Sequence, residues 1–143
     1  MPTAVEAANT LSGKWVAVYQ EIDGQNIPHD EVMEFHDNTF KVLKGSTAAY
    51  EGTFTVGGTK SPFSIVLTYS KSAQPVFLGG PRPGIFQVDG DTFKCCFGVI
   101  GHPAPHELNT YPDSGSVLTV FERSPRSAKQ ALTPNRLLGA LPW

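Results

Sequence analysis

A chain of 143 residues with 40% hydrophobic and 17% charged residues suits a single domain, which at this size buries roughly 70% of the surface exposed by its unfolded chain. Its formal net charge of −2 provides no basic face for neutralising phosphates, which argues against nucleic acid as a partner. No apolar run reaches the roughly 18 residues of a membrane span, and the opening MPTAVEAANT lacks the basic and apolar regions of a secretion signal, so a soluble, cytoplasmic protein without a membrane partner is expected.

Residues 1–10 read as an N-terminal leader. Beyond them, Gly, Pro and short polar clusters divide the chain into runs of alternating polarity, the pattern of many short strands. Eight runs stand out: Lys14–Ile22, Val32–His36, Thr39–Lys44, Ala48–Val56, Phe63–Tyr69, Gly84–Val88, Thr92–Gly98 and Ser116–Arg123. Two of the connections use the same recipe, HDNTFKVLKG over His36–Gly45 and DGDTFKCCFG over Asp89–Gly98. Asp, Asn and Gly reverse the chain and Thr-Phe-Lys starts the next extended run, so both are read as β-hairpins. Mostly short connections favour an antiparallel meander.

Two connections are longer, Ser70–Gly84 and Val99–Gly115, both rich in Pro and Gly, and they are expected to frame one rim. GGPRPG within the first lacks the spacing of a phosphate-cradling loop. His102 and His106 in the second have metal-ligand chemistry, but two prolines argue against the helix that would put both on one face, and no metal or cofactor is expected. Cys95 and Cys96 are adjacent, so in a strand they point to opposite faces and cannot readily bridge. Residues 125–143 form a distinct tail. Ser127–Leu132 suits one short helix, and Thr133 as cap with Pro134 after it suits a second, carrying Leu137, Leu138 and Leu141. With Trp143 these side chains are expected to cover Val16 and Val18 of the first strand, or the same surface of a second copy in a homodimer.

The blocks GKWVAVYQEIDGQNIP, FHDNTFKV, YEGTFTV, GIFQVDGDTFKCCFG and HPAPHELNTYPDSGSVLTVFERS, in this order, resemble a lipocalin-like family of calycin type abundant in planctomycetes. The resemblance covers residues 11–124. It implies an all-β domain, an eight-stranded antiparallel up-and-down barrel, here followed by the short helical tail, and it is silent on the ligand. Gly13-Lys14-Trp15 resembles the opening of lipocalin barrels and Arg123 the arginine of their last strand, which implies a structural cap of guanidinium over indole.

In such a barrel, strand parity turns a set of aromatic residues inward. Tyr19 shares a face with Trp15, Ala17 and Glu21, Tyr50 with Phe54, and Tyr69 closes the face begun by Phe63. Phe35, Phe40, Phe86, Phe93 and Phe97 join them, with Cys95 between the last two. Eight strands are just wide enough to be filled by side chains or to hold one small ligand. The leading expectation is a small, largely apolar molecule bound by Ala17, Tyr19, Phe35, Tyr50, Phe54, Tyr69, Phe86, Cys95 and Phe97. An enzyme of specialised metabolism, a cyclase or isomerase with Glu21 as proton donor and Tyr19 beside it, is the alternative. A solid-cored interaction module is the third reading.

Overall fold

The computed structural model describes residues 3–124. The tail helices and the dimer contact expected of them lie outside the described residues. The leader is not a featureless approach to the first strand. It forms a helix, α1 (Ala4–Thr10), opened by a capping box in which the Thr3 hydroxyl accepts from Glu6 N–H and the Glu6 carboxylate accepts from Thr3 N–H.

The strands follow as β1 (Gly13–Ile22), β2 (Gln25–Asn26), β3 (Glu31–His36), β4 (Thr39–Lys44), β5 (Thr47–Gly57), β6 (Phe63–Ser72), β7 (Arg82–Asp89), β8 (Thr92–Phe97) and β9 (Val117–Arg123). A 3-10 turn, Pro75–Gly79, separates β6 from β7. From β3 on, each strand pairs antiparallel with the next, and β9 returns to β1, so the eight long strands close into a barrel. One edge of β1 pairs with β3 along Gly13–Val16 and with the short β2 at Glu21 and Ile22. Both repeated hairpins are tight: His36 pairs with Thr39, Asp89 with Thr92, and Asp37 and Gly90 take the positive φ that the reversals require.

Alternation sorts the side chains into an inward set and an outward set, and the inward set is heavily aromatic. At the end where β1 begins, Trp15 lies tilted against Phe93 (centroids 5.4 Å), Phe93 stacks on Phe121 (5.3 Å), and Phe35 meets Phe54 edge to face (5.0 Å). Each such pair contributes about 0.5–1.5 kcal/mol beyond the area it buries. Helix α1 and fully buried Leu11 lie over this plug, and the Trp15 indole N–H donates to Leu11 O at 2.8 Å. This end is closed.

The long loop between β8 and β9 does not frame a rim as expected. It straps the outer face of the barrel, where Leu108 packs on Ile85, Cys96 and Leu118. The physical reason is visible in the strands, since an outward face bearing Ile, Cys and Leu needs a cover. Polar ties hold the strap to the β1–β2 turn: Gly24 N–H donates to Thr110 Oγ1 at 2.7 Å, and Gly115 N–H to Asp23 Oδ1 at 2.6 Å.

Candidate functional site

The far end of the barrel is hollow. Its shape depends first on β1, where a β-bulge lies between Ala17, opposite Phe121, and Tyr19, opposite Val120. Val18 is the extra residue, and it flips the parity of everything after it. Trp15 and Ala17 point inward as expected, but from there Gln20 and Ile22 face the interior, while Tyr19, 37% exposed, lies outside. Glu21 goes with it and stands close enough to outward-facing Cys96 to oppose ionisation of that thiol. The expected inward pair of Tyr19 and Glu21 is therefore corrected by one residue of register.

Above the plug, the structure encloses a cavity of about 190 Å³. Its apolar walls come from Met33, Val42 and Leu67 with Cys95, Phe97 and Phe121, and near the mouth from Ile22, Ile27 and Val117. Tyr50, Tyr69 and Phe77 form an aromatic side wall, with Tyr69 stacked on Phe77 at 5.2 Å and edge-on to Tyr50 at 5.8 Å. Of the residues expected at a ligand, Tyr50, Tyr69, Cys95 and Phe97 line this space. Ala17, Phe35, Phe54 and Phe86 do not. They are buried in the core and the plug instead, because the rings of Trp15, Phe35, Phe54 and Phe93 meet at one level and leave no room between them.

Two polar groupings enter the cavity. In the first, the Gln20 amide donates to Thr119 Oγ1 at 3.0 Å and to Glu31 Oε1 at 3.3 Å, and Lys44 Nζ meets Glu31 Oε2 at 3.2 Å. Partial burial works against the Lys44 charge, yet Glu31 outweighs it and holds the ammonium above its ordinary value. In the second, Arg82 donates from Nε to Gly98 O at 3.1 Å and from Nη1 to Tyr69 Oη at 3.2 Å. Its guanidinium lies 4.6 Å from the centroid of Phe77 and 5.6 Å from that of Phe97. Burial raises the Tyr69 phenol above its ordinary pKa, and the nearby Arg82 charge offsets only part of this.

Gly84 makes the second grouping possible. A Cβ there would stand 2.5 Å from the Phe97 ring, so only glycine lets that ring fold over β7 towards Arg82. Neither cysteine is a nucleophile in waiting. Burial raises the Cys95 thiol far above its ordinary range, and burial together with Glu21 pushes Cys96 up to about 11. In the strap, Glu107 accepts from Asn109 and Tyr111. Among the described residues no three His, Cys, Asp or Glu side chains converge as a metal site, and no helix is long and apolar enough to cross a membrane.

Sequence reasoning overlooked Gln20, Glu31, Lys44, Phe77, Arg82 and Thr119. Parity carried a signal for three of them: Glu31 is in phase with Met33 and Phe35, Lys44 with Phe40 and Val42, and Arg82 with Gly84 and Phe86. Two of these were lost because the strands begin earlier than the apolar pattern suggests, β3 by one residue and β7 by two. In comparisons with known proteins, the chain matches no family model, no curated protein and no solved structure.

Proposed function

We propose that this barrel is a carrier or receptor for one small, largely apolar molecule, held in the hollow half of its interior. The observation that carries the reading is the division of the barrel. One end is packed solid by aromatic rings, while the other keeps a cavity of about 190 Å³ with aliphatic and aromatic walls and a few convergent polar groups. An engineered cavity of about 150 Å³ holds benzene, so the space suits a single ring with a short extension or a short chain. The catalytic alternative loses the acid and hydroxyl assigned to it, since Glu21 and Tyr19 stand outside, and the interior carboxylate, Glu31, is engaged by Lys44 and Gln20. A solid-cored module is disfavoured by the cavity itself. Kinship with lipocalin-like barrels belongs to the same proposal, supported by Gly13-Lys14-Trp15 and by Arg123 lying 4.2 Å from the Trp15 ring centroid.

The test is occupancy. A small neutral aromatic alcohol, 3-phenylpropan-1-ol, titrated into labelled protein, should shift the methyl resonances of Met33, Val42 and Leu67 saturably. Val42→Phe places a ring in the space and should weaken binding by at least about tenfold while thermal stability is held or raised, because filling a void restores lost contacts. A variant that binds as well as the parent would refute the cavity as the site.

A further inference from the structure

We infer that the cavity takes a small amphiphilic acid, with its carboxylate received by Arg82 and the hydroxyls of Tyr69 and Tyr50 and its apolar body on the Leu67 side. This rests on the small-molecule reading above and specifies the chemistry of the ligand's polar end.

Charge balance is the first argument. Glu31 and Lys44 line the cavity as a mutual pair, and Gln20 occupies the other Glu31 oxygen. Arg82 has no such partner: among the described residues no carboxylate lies within 4.0 Å of it, and its hydrogen bonds go to a carbonyl and a phenol, both neutral. The cavity therefore carries one positive charge in excess. A guanidinium partly removed from water calls for an anion, and a planar carboxylate matches its fork.

Donor geometry is the second. The rings of Phe77 and Phe97 lie near the guanidinium, while Nε is held by Gly98, so its plane is set before any ligand arrives. Nη2 donates to nothing among the described residues. Tyr69 Oη accepts from Arg82, which directs the phenolic proton elsewhere, and that proton has no acceptor among the described residues. Tyr50 is 8% exposed, lines the same space, and its hydroxyl likewise has no partner there. These are donors without acceptors among the described residues, on one buried and two half-buried side chains, and donors withdrawn from water require them. A carboxylate offers about four lone-pair sites and no proton. An amine or ammonium ligand would instead add a donor and a positive charge to a site already in excess of both.

The experiment compares 3-phenylpropionate with 3-phenylpropan-1-ol, which share a body and differ in the end group, by calorimetry and by methyl shifts at neutral pH. The acid should bind the parent protein at least about tenfold more tightly, the difference expected of charge-assisted hydrogen bonds. Arg82→Met should bring the two affinities to within about threefold by lowering that of the acid alone. Tyr69→Phe, which leaves the guanidinium in place, should remove part of the preference and serves if the first variant does not fold. Equal affinities in the parent, or a preference that survives Arg82→Met, overturn the acid inference while leaving cavity binding intact. Failure of both compounds to bind overturns the two readings together.

Discussion

At the scale of single residues, Arg123 shows how one side chain can join three parts of a fold. Its guanidinium covers the Trp15 ring at 4.2 Å, while Nη1 and Nη2 donate to Ser12 O and Thr10 O at 3.2 and 3.0 Å, and Nε meets Asp91 at 3.3 Å. The carbonyls at the end of α1 would otherwise lack donors, so the residue is at once a lid on the indole and a cap for the helix. Gly13 fits the same arrangement, since its φ of 117° is open to glycine and strained for other residues. Arg123→Ala should therefore cost about 1–2 kcal/mol, from the cation–π contact and the packing of the arginine stem. Arg123→Lys should recover only part of it, because an ammonium cannot reach both carbonyls from one plane. Urea denaturation of the three proteins measures this, and an unchanged midpoint in the alanine variant means that the stacking adds nothing.

At the scale of elements, the bulge in β1 decides which residues face a ligand. Strict alternation would place Tyr19 and Glu21 inside. With Val18 inserted, the interior receives Gln20 and Ile22, and Gln20 organises Thr119 and Glu31. Nothing in the composition of Val16-Ala17-Val18-Tyr19 marks the bulge, because apolar residues run through both faces there. Deleting Val18, which is 41% exposed, should preserve both faces, with Ala17 and Gln20 inward and Tyr19 outward in unbroken pairing. Such a deletion should fold and change stability by less than about 1 kcal/mol, as expected for loss of a surface side chain without special contacts among the described residues. Deleting Ile22 instead would shift the end of the strand out of phase. If far-ultraviolet circular dichroism shows the Val18 deletion unfolded, the bulge is needed to bend β1 around the barrel and is not merely a shift of register. Helix α1 teaches a complementary lesson: Thr3 and Glu6 were a legible capping box, passed over because the segment is short and its apolar stripe, Ala4, Ala7 and Leu11, is made largely of alanine.

At the scale of the whole molecule, the barrel combines a solidly packed end with a hollow one. The plugged end is closed by helix, indole and arginine, and its rings are mutually packed. Around the cavity, residues 27–30 make no strand pairing and Pro75–Gly79 forms a single 3-10 turn across the mouth. Local stability should follow this division. Native-state hydrogen exchange should find the slowest amides at Trp15, Phe35, Phe93 and Phe121, with protection at residues 20–31 and 74–82 lower by at least about tenfold. Equal protection at both ends would indicate a uniformly rigid barrel and remove the basis for entry through that mouth. Ligand added to the hollow end should raise protection there first, since binding stabilises the states that contact it.

Sequence alone determined the eight long strands, the two tight hairpins and, Tyr19 apart, the inward aromatic set, because polarity alternates with the pleat and because Asp, Asn and Gly report locally on chain reversal. It pointed to Tyr50, Tyr69, Cys95 and Phe97, which do line the cavity, through parity within regular strands. Tertiary structure alone decided the rest. Whether an inward ring plugs or lines depends on the level at which strands from distant parts of the chain bring it. Trp15, Phe35, Phe54 and Phe93 meet at one level, whereas Phe97 stands above them beside a glycine. The fate of Tyr19 and Glu21 was likewise set by pairing with a strand about a hundred residues away, a long-range register that local alternation cannot encode.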